Sequence, residues 1–221
     1  MINNNPTAFR QLPSAKMNED KTLRGGKTVQ RGKVLIVDDE IDVVRTLQTY
    51  LSENGYKTFG CISAKGALEA IKKYDFDILL IDLVMPEMNG IELLKAALEI
   101  DPHLIGIIIT GKGTIQTAVD AMKAGAFDYL LKPFKYEMLS PILDRAMKVR
   151  ELMKSEDKCR SLAEELHYKV RELQNVHDKG SGGELEVFEL REEVESLKEE
   201  LEKYKEAEKN MFFNGSGFGN Y

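Results

Sequence analysis

Three consecutive carboxylates, Asp38, Asp39 and Glu40, close the apolar run Val34 to Val37, and like charges crowded at the end of a buried segment demand a counter-charge. Further apolar runs end in Asp82, in Thr110 and in Lys132. Ligands of open α/β sheets bind outside the carboxyl ends of the strands, so these residues are expected in one crevice. Asp38, Asp39 and Asp82 would repel one another there unless a cation neutralised them. Hard oxygen donors without sulfur or imidazole suit Mg²⁺, which commonly completes its shell with water and phosphate oxygens. A lysine and a threonine hydroxyl beside a magnesium-bound carboxylate make a phosphoryl site, and the remaining carboxylate can act as nucleophile by forming an acyl phosphate. Each signal alone is weak, since a pair of aspartates after a strand is often a helix cap. Their joint occurrence at four strand ends is specific.

The elements that must position these residues lie between Lys33 and about Arg150. "KVLIV", "KTFGC", "DILLI", "LIGIII" and "DYLL" alternate with segments whose apolar residues recur at spacings of three and four. Runs apolar on both faces are what a parallel sheet covered on two sides requires, so the expected fold is a doubly wound α/β domain with a five-stranded parallel sheet.

A heptad begins at Val149, with Val149, Glu156, Ala163, Val170 and His177 at a and Leu152, Cys159, Leu166 and Leu173 at d. "KGSGG" breaks it, because glycine costs a helix about 1 kcal/mol per residue. A second heptad follows, with Val187, Val194, Leu201 and Glu208 at a and Leu190, Leu197, Tyr204 and Met211 at d. Its g and following e positions match Glu186 with Arg191, Glu193 with Lys198 and Glu200 with Lys205, the offset that bridges two parallel helices; Val at a with Leu at d favours two strands. A parallel homodimer through the coiled coil is the expectation, and the alternative is a single solvated helix stitched by charge pairs along its own surface. The resulting map is a basic, disordered tail at 1–32, an α/β domain at 33–148, a helical extension at 149–178, a Gly-rich break at 179–183, a coil at 184–211 and a flexible Gly/aromatic tail at 212–221.

A formal charge of -6 disfavours general nucleic-acid binding, and the second heptad, with ten acidic and four basic residues from Glu184 to Glu206, is a poor candidate for a DNA groove. Cys61 and Cys159 stand far apart without metal-ligand spacing, which excludes a disulfide framework or zinc site from the reading. The apolar runs are too short to span a bilayer and the N-terminus lacks a signal-peptide core, so the expected location is the cytoplasm.

"VLIVDDE", "ILLIDLVMPEMNGIELL", "IIIT" and "AGAFDYLLKPF" together resemble the receiver domain of bacterial two-component response regulators over about half the chain, and "TGKGTIQTAVDAMKAGAFDYLLKPF" resembles receivers of the nitrogen-regulator class. The resemblance implies a flavodoxin-like (βα)5 receiver in which Asp82 accepts a phosphoryl group from the histidine of a partner kinase or a histidine phosphotransfer protein. It implies that Asp39 holds Mg²⁺ directly and Asp38 through water, with the backbone carbonyl of Val84 completing the protein ligands. Lys132 would pair with the phosphoryl oxygens, Thr110 would move to bond the phosphoryl group, and Tyr129 would rotate inward with it. A cis bond is implied at Lys132-Pro133. The domain would be no enzyme beyond assisting its own phosphorylation and dephosphorylation.

"GIIITGKG" nearly spells a phosphate-binding loop but ends in Gly113 where a hydroxyl residue is required, and its middle is a β-branched strand. Asp42, Asp75, Asp77, Asp101 and Asp128 read as caps, strand ends or solvated positions. His103, His167 and His177 lack the surroundings of a kinase phosphoacceptor. The leading expectation is thus a magnesium-dependent receiver that signals through a dimeric coiled coil to a protein target. The alternatives are a coiled-coil adaptor with an unswitched receiver head, and a phosphorelay intermediate or phosphate sink.

Overall fold

A computed structural model describes residues 31–179 and 183–215. The tails at 1–30 and 216–221 and the glycine break at 180–182 lie outside the described residues, as do the side chains of Glu208 and Met211. The chain divides into two compact units, Met1–Met147 and Lys148–Tyr221.

The first unit alternates β1 (Gly32–Val37), α1 (Ile41–Glu53), β2 (Tyr56–Cys61), α2 (Ala64–Lys73), β3 (Ile78–Asp82), α3 (Gly90–Ile100), β4 (Ile105–Thr110), α4 (Ile115–Lys123) and β5 (Asp128–Leu131), and takes in the first residues of α5 (Leu139–Lys179). The strands form one parallel sheet in the order β2-β1-β3-β4-β5. The order reverses between β1 and β3, so the crevice of this doubly wound sheet opens above those two strands. Every residue of β3 and β4 is buried, as are Val34 to Val37 of β1, which is why these runs are Ile, Leu and Val rather than alternating. Leu139, Leu143 and Ala146 of α5 are also buried.

Turn and cap chemistry sets where the helices start. Ser63 caps α2 by accepting from the Gly66 N–H. Asn89 and Glu92 form a reciprocal capping box at α3, and Thr114 with Thr117 forms one at α4. Of the aspartates read as local, Asp77 accepts from the Lys33 N–H at 3.0 Å, Asp101 accepts from the His103 N–H at 3.0 Å, and Asp128 pairs with Arg145 at 2.9 Å.

Two residues assigned to the tail from the sequence, Arg31 and Gly32, belong to the α/β unit. Gly32 begins β1, and Arg31 forms an ion pair with Asp144 while its guanidinium stacks on Tyr56, 5.3 Å from the ring centre. Burial of Tyr56, opposed by Arg31 and reinforced by Asp144, pushes its phenol up to about 12.

In the second unit ion pairs join α5 to α6 (Glu184–Gly215), among them Lys158 with Glu200 at 3.5 Å and Lys169 with Glu193 at 2.7 Å. The partner numbers fall as the α5 numbers rise, so the helices run antiparallel within one chain. The buried face of α6 is the expected one, with Leu190 at d and Val194 and Leu201 at a. On α5 the expected face is followed only in part: at a, Val149 and Val170 are half-buried while Glu156, Ala163 and His177 are exposed, and Ser155 and Leu162, one residue before a, are buried. The d residues Cys159, Leu166 and Leu173 remain half-buried, and Leu162 supplies the bulk that Ala163 cannot. The Ser155 hydroxyl has no hydrogen-bond partner among the described residues, a defect worth about 1–3 kcal/mol of desolvation. The helix boundaries also extend past those expected, since Lys179 is still in α5 and α6 continues through 212–215.

Candidate phosphoryl site at the sheet crevice

The crevice is built from three strand ends. Asp38 follows β1, Asp82 closes β3 and Lys132 follows β5. The Lys132 ammonium donates to Asp38 Oδ2 at 2.6 Å and to Asp82 Oδ1 at 2.9 Å. Both carboxylates are withdrawn from solvent, with Asp38 3% and Asp82 8% exposed. The remaining oxygens are held by backbone: the Glu40 N–H donates to Asp38 Oδ1 at 2.9 Å, and the Val84 N–H donates to Asp82 Oδ2 at 2.6 Å. Asp38 therefore also shapes the turn into α1. Burial works to lower the Lys132 pKa, but the hydrogen bonds and negative charges of Asp38 and Asp82 outweigh it and hold the ammonium above its ordinary value.

The crowded aspartates expected from the sequence are thus only partly gathered. Asp38, Asp82 and Lys132 meet; the Asp39 side chain is exposed and stands outside that cluster. Among the described residues no group of three or more carboxylate, imidazole or thiol side chains is close enough to hold a metal. A lysine already supplies one positive charge to two carboxylates, and the balance of the cluster is still one negative charge. Hard oxygens with residual negative charge and a further carboxylate next along the chain at Asp39 are a donor set that fits a hard divalent cation.

Thr110, 1% exposed, ends β4 beside β3, and its hydroxyl accepts from the Lys112 N–H at 3.1 Å. Tyr129 lies in β5 and its hydroxyl bonds that of Thr117 in α4 at 2.9 Å, a link the sequence reading missed. The Lys132-Pro133 bond is cis, as the resemblance implied.

Two glycines essential to this geometry also escaped the sequence reading. A Cβ on Gly90 would sit 2.4 Å from the Asp82 carbonyl oxygen, so the start of α3 can approach the site only as glycine; its N–H donates to the Leu83 carbonyl at 2.9 Å. The turn leading to it places Glu87 at φ 67, a conformation that L side chains rarely adopt. Asn89 with Glu92 three residues on was the available signal for this helix start. A Cβ on Gly113 would meet Leu131 Cδ2 at 2.3 Å and the Tyr129 hydroxyl at 2.5 Å, so the residue that spoils a phosphate loop is the one that leaves room for Tyr129.

Among the described residues no helix is long and apolar enough to cross a membrane. The chain is 36% identical over 122 residues to the regulatory protein AtoC of Escherichia coli K12, covering 55% of this chain and 26% of that protein. It is 38% identical over 114 residues to the transcriptional regulatory protein ZraR of the same organism, covering 52% of this chain and 26% of that one. The chain therefore spans about a quarter of the length of these curated relatives. A receiver domain from Clostridium thermocellum superposes with a TM-score of 0.53 at 31% identity, covering 55% of this chain and 98% of that structure. Receiver domains are limited to their own phosphorylation and dephosphorylation. The family model described as the response regulator receiver domain matches residues 34–144, half the chain, and with the sheet order and the crevice this shows that the chain belongs to the response regulator receiver family.

Proposed function

We propose that this chain is a phosphorylation switch in which Asp82 accepts a phosphoryl group from the phosphohistidine of a partner kinase or phosphotransfer protein. The observation that carries the reading is the Lys132 ammonium shared between Asp38 and Asp82 at 2.6 and 2.9 Å. An Asp82 oxygen attacks phosphorus; the P–O bond forms as the P–N bond breaks, and the departing imidazole keeps the electron pair and takes a proton from water. The backbone N–H of Val84 orients the carboxylate by holding Asp82 Oδ2. Lys132, already anchored on Asp38, is placed to neutralise phosphoryl oxygens as charge gathers on them. Thr110 supplies a hydroxyl to the product. Asp39, Asp82 and the Val84 carbonyl, with Asp38 through water, would hold Mg²⁺, which would supply electrostatic stabilisation of the transferring group.

Readout runs through α4, β5 and α5. The Thr117–Tyr129 hydrogen bond couples β5 to α4, so movement of Thr110 and Tyr129 alters a surface on which Ile115, Val119, Met122 and Leu131 are exposed. Output passes to a protein partner through a dimeric coil formed by the helical unit. Mass spectrometry after incubation with acetyl phosphate and Mg²⁺ tests the chemistry: an added phosphoryl mass, absent in Asp82→Asn, is expected. No adduct, with beryllofluoride also failing to bind, would overturn it.

A further inference from the structure

Helix α6 carries two incompatible instructions for one apolar seam. Within the chain, Glu193 and Glu200 are drawn to Lys169 and Lys158 of the antiparallel α5, while Lys198 and Lys205 turn to Glu195 and Glu202 on their own helix at 3.2 and 2.9 Å. The same Glu193 and Glu200, at g, are complementary to Lys198 and Lys205, at the following e, in a parallel pair of α6 helices, with Glu186 and Arg191 adding a third match. Leu190, Val194 and Leu201 would form the core of either arrangement. They cannot serve both at once.

We propose that α6 pairs through this seam either with α5 of its own chain or with α6 of a second copy, so that the intrachain hairpin masks the dimer interface. This rests on the dimeric-coil part of the proposed function and is independent of the chemistry at Asp82. The α5 side is the poorer partner, because it offers a buried Ser155 hydroxyl without a hydrogen-bond partner among the described residues and leaves Glu156, Ala163 and His177 of its a positions exposed. The parallel pair offers Val and Leu at successive a and d positions. Concentration and anything that loosens α5 then decide between the two states.

Zero-length carbodiimide crosslinking of full-length protein, mixed from light and isotopically heavy chains across a concentration series, reads both states directly. A Lys169–Glu193 link within one chain is expected in the monomer, giving way to Glu193–Lys198 links between light and heavy chains as dimer forms. Lys158→Glu with Lys169→Glu, which turns the hairpin pairs repulsive and leaves every α6 charge in place, is expected to dimerise at about tenfold lower concentration in sedimentation velocity. Dimers that retain the intrachain Lys169–Glu193 link, or an unchanged dimerisation midpoint in the double variant, would overturn the masking alone. A monomer at every concentration, double variant included, would overturn both the masking and the dimeric output.

Discussion

The sheet of the receiver unit and the helical unit use apolar residues to opposite degrees of constraint. In the sheet, β3 and β4 are buried at every position, flanked by a strand on each side and covered on both faces, so each residue has one environment it can occupy. The α5–α6 seam is one face of each helix, and its buried apolar members among the described residues are Leu162, Leu190, Val194 and Leu201. A helix can present neighbouring residues to such a seam, and α5 buries Leu162 where Ala163 was expected. A structure with many simultaneous neighbours has one register; a structure with one neighbour can have two.

The comparison breaks if equal truncations cost the same in both units. Leu79→Ala, at a wholly buried position in β3, is expected to destabilise the receiver by about 4 kcal/mol in urea denaturation, since the sheet cannot collapse onto the void. Gly90→Ala, whose Cβ would meet the Asp82 carbonyl oxygen, is expected to cost about 2–3 kcal/mol and to lower the acetyl-phosphate adduct. Leu162→Ala is expected to cost about 2 kcal/mol, at the low end for a buried leucine, because the helix pair can close the gap. Hydrogen exchange checks the separation: amides of α6 should lose protection in that variant and those of β3 should not.

A smaller and opposite effect sharpens the contrast. Ser155→Ala removes a buried hydroxyl without a hydrogen-bond partner among the described residues, and the helical unit is expected to gain about 1 kcal/mol in thermal unfolding. A last effect, on reactivity and not on stability, concerns the Cys61 thiol at the end of β2, which burial pushes up to about 11 from 9.0. A raised thiol pKa means less thiolate at any lower pH, so iodoacetamide alkylation of Cys61 should be about a hundredfold slower near pH 8 than for an ordinary thiol and should rise tenfold per pH unit toward 11. A profile that levels off above pH 9 would show that the sheet edge does not bury it.

Much of the receiver was legible from local pattern. The strand runs coincide with β1 to β5 within a residue or two, because a strand buried on both faces leaves a continuous apolar signature. Asp38, Asp82, Thr110 and Lys132 were findable because a parallel sheet sends the same ends of all its strands to one edge. Gly90, Gly113 and Thr117 were not, since their importance lies in what stands opposite them: a carbonyl oxygen, a tyrosine hydroxyl, a ring held in place. Asp39 shows the limit from the other side, being adjacent to Asp38 in sequence and outside its ion-paired cluster in space.

For the coil, sequence determined that α5 and α6 are helices, where glycine parts them, and which face of α6 is apolar, all consequences of spacing along one chain. It also determined the charges that α6 can offer a partner. Which partner accepts them was decided only by the tertiary structure, because an apolar seam flanked by acidic and basic residues satisfies an antiparallel neighbour and a parallel copy by the same forces. The site has the same division: the strand ends supply the carboxylates and the lysine, and the twist and order of the sheet bring Lys132 from β5 across to Asp38 at β1, 94 residues away, at 2.6 Å.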